Sequence, residues 1–410
     1  MLAAPTTQHQ HQAPSSSTKH QAGIIFLVKV IVIGAGAFGG WTALELVRRG
    51  ANVTLLDAWG PGHVRASSGG ETRIIRATYG SRSIYTSMAR RALAKWREHD
   101  ERFDTSFYRK TGAIWMFGKD DAFGKTSAAA LEADGQPIEW LAPKDARRRY
   151  PQINFSGIRS VLYEPEAGYL LARRACEDVV ARVVAEGGAY AQAKVGGPIR
   201  PRGGRLANVR VAGIAPLEAD AFVFACGPWL GGLFPDVIGR RITPTRQDVY
   251  YFGTPAGDPR YAEGELPIWL EVGDRLYYGI PGNAHRGFKI SDDTSGPRFD
   301  PTSGERTVLP DGLRRARAFL KRRFPELARA PLTGTEVCQY EATPDSDYIL
   351  DRHPAASNVW IAGGGSGHGF KMGPVIGETL ANAILDDAPT EATFSLARFA
   401  RRAKSAEKWT

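Results

Sequence analysis

The stretch KVIVIGAGAFGGWTALELVRRGANVTLLDA, Lys29 to Ala58, decides how the rest of the chain is read. VIVI is an apolar run of buried-strand character. Gly34, Gly36 and Gly39 follow it as G-x-G-x-x-G. Trp41 to Arg49 then has helical spacing, with Leu44, Leu46 and Val47 on the inward face. Gly50 ends the helix, Val53 to Leu56 makes a second strand, and Asp57 sits at its tip. The whole is a βαβ unit. Gly34 permits the tight turn, Gly36 lets backbone approach a pyrophosphate, and Gly39 lets helix and strand pack closely. The helix N-terminus offers unpaired N–H groups and a partial positive charge to the phosphates. Asp57 is placed to accept hydrogen bonds from ribose hydroxyls. The motif alone does not separate FAD from NAD, and a glycine-rich turn in another α/β domain has the same form.

Upstream, residues 1–22 are rich in Gln, His, Ser, Thr and Pro and carry no acid. They read as part of a disordered tail spanning residues 1–27, or as an over-extended start with translation beginning near Val28. His9 and His11 could bind metal weakly, but a floppy tail is the better reading. The run GIIFLVKVIVI, Gly23 to Ile33, is too short to span a membrane and carries Lys29. No small-residue cleavage site precedes it, so it does not read as a signal peptide.

The chain has 410 residues, enough for one large or two ordinary domains. An apolar share of 43% against 23% charged residues makes it globular rather than disordered. A net charge of +10 raises nucleic acid as a partner. The basic residues, however, sit in short scattered clusters such as Arg48-Arg49 and Arg147 to Arg149, with no aromatic-interleaved stripe. Solvated surface is the better reading, with anionic small molecules drawn in by the general field. Cys176, Cys226 and Cys338 are widely spaced. They form neither a disulfide framework nor a metal-binding C-x-x-C, so no metal is expected and a reducing, cytoplasmic setting fits. The C-terminal SAEKWT is not a peroxisomal tripeptide.

SSGGETRIIRATYG, Ser67 to Gly80, separates the two dinucleotides. A nicotinamide-binding domain continues with another plain βα unit, whereas a flexible, polar and then basic segment suits a chain passing beneath an isoalloxazine ring. In order along the chain, VIVIGAGAFGG, ETRIIRATYG, ACGPW, VCQYEATPDSDYILDRHP and GGGSGHGFKMGP resemble the monomeric sarcosine oxidase and N-methyltryptophan oxidase group of D-amino-acid-oxidase-like flavoproteins. The likeness runs from about Val28 to Leu385.

The resemblance implies a Rossmann-type FAD-binding domain interwoven with a mixed-sheet substrate domain, in an α/β (α+β) fold. It implies FAD attached through its 8α-methyl carbon to Cys338, with Tyr340 as the active-site tyrosine beside it. Read without the motif, a free Cys is most often a buried structural thiol. Gly227 in ACGPW and Gly367 in SGHGFK fall on positions of close cofactor approach, while Cys226 and Cys176 are read as inert. Arg76 and Lys371 match the pair that binds a substrate carboxylate. One such charge pair at ~4 Å, with an effective dielectric of ~20, is worth about 4 kcal/mol before desolvation. Lys371 precedes a helix and equally suits the anionic flavin edge. Lys289 matches the lysine at the oxygen-reaction site, where a positive charge stabilises developing superoxide. Tyr278 matches a pocket tyrosine, and Arg73 an arginine close to the flavin ring. The plainer readings are a surface ion pair for Arg76 and a strand-edge lysine for Lys289.

The chain also departs from that group. Glu341 replaces the first threonine of the cysteine motif, and Gly69 and Asp293 stand where the sarcosine oxidases carry histidines. An acid at 293 attracts a cationic group or points to solvent. Losing two imidazoles disfavours sarcosine itself and favours a bulkier secondary or N-modified amino acid. His368 is kept, and a glycine-flanked His there is equally a structural one.

Gly168 to Tyr190 reads as one amphipathic helix closed by Gly187-Gly188. Strands around Arg205 to Ala221 follow it, and Ile114 to Phe117, Asp248 to Phe252, GELPIWLEV and RLYYGI read as a mixed sheet walling the substrate. Leu309 to Phe324 reads as an exposed basic helix. The expected division is FAD-binding for residues 28–110, 162–243 and 331–395, and substrate-binding for 111–161 and 244–330. The expected activity is oxidation of a carboxylate-bearing amine to an imine, with O2 reduced to H2O2 by a monomer free of membrane and nucleic acid. The alternatives are a flavin dehydrogenase using another acceptor, a nicotinamide-dependent reductase, and a flavin-holding protein without turnover.

Overall fold

The computed structural model describes residues 27–400. The expected tail up to Phe26, with His9 and His11, and the C-terminal SAEKWT lie outside the described residues.

Two sheets organise the chain. The first has six strands in the lateral order Ile349–Arg352, Val359–Gly363, Ala221–Phe224, Lys29–Ile33, Asn52–Asp57 and Ala189–Gln192. All neighbours are parallel except the first pair. Its central strands are apolar throughout because both faces are covered. On one face the helix Ala37–Arg48 packs against Gly373–Leu385 and Ala172–Ala185. On the other, Ile31, Ile33, Phe222 and Phe224 join Leu230, Phe234 and Ile199 in a separate core.

The second sheet has eight strands in the order Leu332–Ala342, Thr243–Phe252, Phe288–Asp292, Leu276–Ile280, Ile268–Val272, Ala113–Phe117, Ser160–Glu164 and Glu139–Leu141. It is mixed, with Ile268–Val272 parallel to Ala113–Phe117. The two-residue period of a strand divides its side chains between two cores. Ala113, Trp115 and Phe117 face the core shared with the parallel sheet, while Ile114 and Met116 face Trp269, Phe288 and Ile290. The fold class is the expected one: the parallel sheet collects strands from separated parts of the chain, and the mixed sheet takes those between. The exception is Leu332–Ala342, expected with the FAD-binding part 331–395, which is an edge strand of the mixed sheet because it pairs along its length with Thr243–Phe252.

Two further expectations are corrected. Gly168 to Tyr190 is not one helix: Gly168–Leu170 is a strand, paired on both sides with Arg73–Ile75 and Tyr108–Lys110, and the helix is Ala172–Ala185. Gly168 allows this, since a Cβ there would lie 2.0 Å from the Arg109 carbonyl oxygen. The basic helix, Pro310–Arg323, is not simply exposed. Ala316, Phe319, Leu320 and Arg323, spaced to share one helix face, are buried against the mixed sheet. Arg323 is only 1% exposed and meets Glu271 at 2.6 Å, which satisfies its buried charge.

Candidate active site

A cavity of about 410 Å³ lies at the carboxyl ends of the parallel strands, where open α/β sheets take their ligands. One end is the first βα turn. Gly34 has φ +105°, and a Cβ there would lie 2.3 Å from the Ala225 carbonyl oxygen. A Cβ on Gly39 would fall 1.9 Å from the Gly34 oxygen, so helix and turn can close only on glycine. Asp57 lines the cavity and also shapes the turn: Oδ2 accepts the Ala35 N–H at 2.7 Å, and Oδ1 accepts those of Trp59 and Gly60 at 2.8 Å. Gly36, Arg73, Gly227, Tyr340 and Gly367 line the rest. Two buried polar atoms on lining residues, Ser67 Oγ and Glu341 Oε2, have no hydrogen-bond partner in the protein. Buried polar atoms are rarely left so unless a ligand or water meets them. Glycine-bared backbone at one end and unsatisfied polar atoms along the walls suit FAD, with Gly34, Gly36, Asp57, Arg73, Gly227 and Gly367 as the residues to hold it.

At the cavity's Tyr340 end, Arg73 and Tyr340 join a buried charged cluster whose other members, Cys338, Lys289, Tyr278, Asp293, Arg76 and Lys371, do not line it. The strand Leu332–Ala342 carries Cys338 opposite Gln247 and Tyr340 opposite Thr245. Arg73 donates to the Thr72 and Ser67 carbonyls at 2.9 and 2.7 Å, and its Nη2 is 3.5 Å from Cys338 Sγ. Burial works against the Arg73 charge, but Cys338, Tyr278 and Glu336 outweigh it and raise its pKa. Lys289, 1% exposed, donates to the Thr72 carbonyl at 3.0 Å and hydroxyl at 3.2 Å. Burial, then repulsion from Arg73, pushes its ammonium down to about 8. It is a fully buried lysine aimed at Thr72, not a strand-edge residue. Tyr278 lies with its ring centroid 5.9 Å from Lys289 Nζ, and burial raises its hydroxyl.

Asp293 does not point to solvent. Its Oδ1 accepts the Tyr340 hydroxyl at 2.5 Å. Burial pushes the carboxyl up to about 6, with the Tyr340 hydrogen bond, Arg76 and Lys371 opposing. Tyr340 is held neutral, first by burial and then by Asp293.

Arg76 and Lys371 share the Tyr79 ring, at 4.6 and 5.2 Å from its centroid. Arg76 donates to the Thr78 carbonyl and Lys371 to that of His368 at 2.9 Å. Both are buried, and neither forms an ion pair with a carboxylate among the described residues. Burial, then Arg76, drives the Lys371 pKa well below its ordinary value. Two desolvated cations this close favour an anion between them. His368 is buried and hydrogen-bonded within the protein on both ring nitrogens. Its Nε2 is 3.0 Å from the Ser346 carbonyl, which can only accept, so Nδ1 is left to accept the Tyr348 hydroxyl at 2.7 Å. Burial holds its pKa well below the ordinary value. Cys176 is pushed up to about 12 by burial, and Cys226 likewise upward, so both thiols stay protonated.

Sequence reasoning passed over Thr72, although it lies in the quoted TRIIR element, because a threonine's service through its carbonyl leaves no pattern. It also passed over Glu164, buried beside Thr78 and Ala77, where the acid ending the apolar strand SVLYE was the available signal.

Residues 29–383 match the family described as FAD dependent oxidoreductase (DAO). The chain is 30% identical to the monomeric sarcosine oxidase of Bacillus sp. (strain B-0618), over 87% of this chain and 92% of that one. It is 28% identical to the N-methyl-L-tryptophan oxidase of Yersinia pestis (strain Pestoides F), over 90% and 99%. Its fold superposes on the crystal structure of L-proline dehydrogenase from P. horikoshii with a TM-score of 0.80 at 21% identity, covering 92% and 98%.

Proposed function

The chain belongs to the FAD dependent oxidoreductase family, and from that premise we propose that it oxidises a carboxylate-bearing secondary or N-modified amino acid to an imine, O2 being reduced to H2O2. The observation that carries this reading is the pair Arg76 and Lys371, buried together without a carboxylate partner among the described residues. A substrate carboxylate satisfies both.

Bound FAD would supply the acceptor for a hydride from the carbon next to the substrate nitrogen and the route of those electrons to dioxygen, and water would hydrolyse the imine. The residues supply position and charge. Arg76 and Lys371 fix the carboxylate and so orient the carbon to be oxidised. Asp293, ionised above about pH 6 and steered by the Tyr340 hydroxyl, draws in the protonated amine. Tyr278 closes the pocket wall. Lys289, held by Thr72 and charged below about pH 8, supplies the positive charge on which oxygen reduction depends. Arg73 keeps a cation beside Cys338, its Nη2 lying 3.5 Å from the sulfur. That contact supports covalent attachment of FAD through Cys338. Yellow colour retained by acid-precipitated chain, and lost in Cys338→Ser, is the expected result.

The reading carries with it a monomeric cytoplasmic enzyme with FAD-binding and substrate-binding parts divided as given above, save that the strand Leu332–Ala342 goes with the mixed sheet. Among the described residues no helix is long and apolar enough to cross a membrane. The test of function is peroxide release in air from a panel of N-methyl, cyclic and aromatic amino acids. Peroxide with at least one secondary amino acid supports the proposal. Flavin that is reduced by substrate and stays reduced in air points instead to the dehydrogenase, and flavin that no amino acid reduces rejects both.

A further inference from the structure

Glu341 stands where the resembled cysteine motif carries threonine, and it occupies an unusual place. It is the penultimate residue of the strand Leu332–Ala342 and is 8% exposed. Its Oε1 accepts the Gly365 N–H at 3.2 Å. Its Oε2 is buried and has no hydrogen-bond partner. A Cβ on Gly227 would lie 2.9 Å from Oε2, and one on Gly365 would lie 3.0 Å from Oε1. The carboxyl therefore sits between the chain just past two neighbouring parallel strands, Ala221–Phe224 and Val359–Gly363, and two glycines leave it bare. Glu341, Gly227 and Gly365 all line the cavity. Along the cavity this is the Tyr340 side, away from Asp57.

We propose that Glu341 holds the bound flavin nucleotide through its unpartnered carboxyl oxygen, acting as a protonated hydrogen-bond donor on the flavin side of the cavity. This rests on the reading that the cavity takes FAD. A buried carboxyl oxygen left without a partner is costly, and a polar ligand group removes that cost. Burial raises the carboxyl to about 7, with only the Gly365 N–H opposing. From the turn after Ala221–Phe224 it is faced by Cys226, a thiol that burial keeps protonated and on which Asp57 also acts. From the chain past Val359–Gly363 it is faced by Gly365, and in the strand Thr243–Phe252 its register partner is Pro244, both uncharged. Because Oε1 is occupied by an N–H donor, the proton belongs on Oε2 and is directed at the ligand. When the carboxyl ionises it loses that donor and sets an anion beside an anionic dinucleotide, so affinity falls as pH rises through about 7.

The experiment uses the full-length chain carrying Cys338→Ser, in which FAD loading is reversible, with and without Glu341→Gln or Glu341→Ala. FAD affinity is read from quenching of flavin fluorescence between about pH 6 and about pH 8.5, and folding from thermal melts. The parent is expected to bind FAD about tenfold more weakly at the alkaline end. Glu341→Gln, which keeps a neutral donor, is expected to bind like the low-pH parent at every pH. Glu341→Ala is expected to bind about tenfold more weakly at low pH, with no pH dependence. Glu341→Ala affinities equal to the parent's throughout, or Glu341→Gln with the parent's pH dependence, would overturn the proposal. A parent that binds no FAD at any pH sinks the FAD reading itself, and this proposal with it.

Discussion

Around Gly34 to Phe38 the protein presents bare backbone; around Lys289, Arg76 and Lys371 it presents charged groups held out of water. The first region is short and continuous. Its geometry follows from glycine at the few positions where a Cβ would strike a carbonyl, and its attraction for phosphate comes from the start of the helix Ala37–Arg48. The second region is assembled from distant segments, and burial displaces several of its titratable groups from their ordinary pKa. Lys289 falls to about 8, Asp293 rises to about 6, and Lys371 falls well below its usual value. Desolvation is the largest cause in each case, and in the proposed reading a bound substrate adds counter-charge to that of Asp293 and Glu164. The contrast separates holding the cofactor from turning over the substrate. It can be broken by a variant whose damage shows in the wrong assay.

The largest effect is expected at the cation pair. Arg76→Ala or Lys371→Ala removes one side of a buried charge interaction worth about 3 to 5 kcal/mol, so kcat/KM should fall by about 10² to 10⁴ with FAD loading unchanged. Steady-state kinetics beside a flavin-to-protein ratio checks this, and loss of loading in either variant would break the comparison. Next comes Lys289→Met, expected to slow reoxidation by O2 by about 10², while anaerobic reduction by substrate keeps its rate. In the unaltered enzyme reoxidation should slow as pH rises through about 8, because the ammonium is charged below that value and neutral above it. Stopped-flow half-reactions separate the two steps. Asp293→Asn should raise KM about tenfold above pH 6 and flatten its pH dependence. The sign follows from the raised pKa: the carboxylate is present above about 6 and is lost as pH falls through it. The smallest effect belongs to the backbone end. Gly36→Ala would bring a Cβ to 3.2 Å from Ser68 Oγ, a contact that a small shift relieves. FAD affinity should drop only a few-fold, with kcat of the loaded enzyme unchanged.

The same contrast explains what the sequence revealed. The βαβ unit from Lys29 to Asp57 is legible because turn, helix and strand follow one another, and each glycine has one physical reason. The mixed sheet is legible where a short apolar run is rich in aromatic and branched residues, as in Ala113–Phe117. Gly168–Leu170 was hidden because an apolar tripeptide before a helix carries no period of its own, and pairing on both sides made it a strand. The burial of Arg323 was hidden because a basic helix reads as solvated until Glu271 is found beneath it. Cys338, Lys289, Arg76 and Lys371 were marked by resemblance to known motifs rather than by pattern, since nothing in spacing brings residues so far apart in sequence together. The partners that give them character, Thr72 for Lys289 and Asp293 for Tyr340, are tertiary facts.

The most direct measurement is anaerobic bleaching of the protein's flavin by matched pairs of N-methyl amino acids and the amines made by removing their carboxyl groups. The account predicts that the amino acids bleach the flavin and that their decarboxylated partners do so at least about 10²-fold more slowly, a difference that Arg76→Ala abolishes. Equal bleaching by both members of each pair, or none by any amino acid, would contradict it.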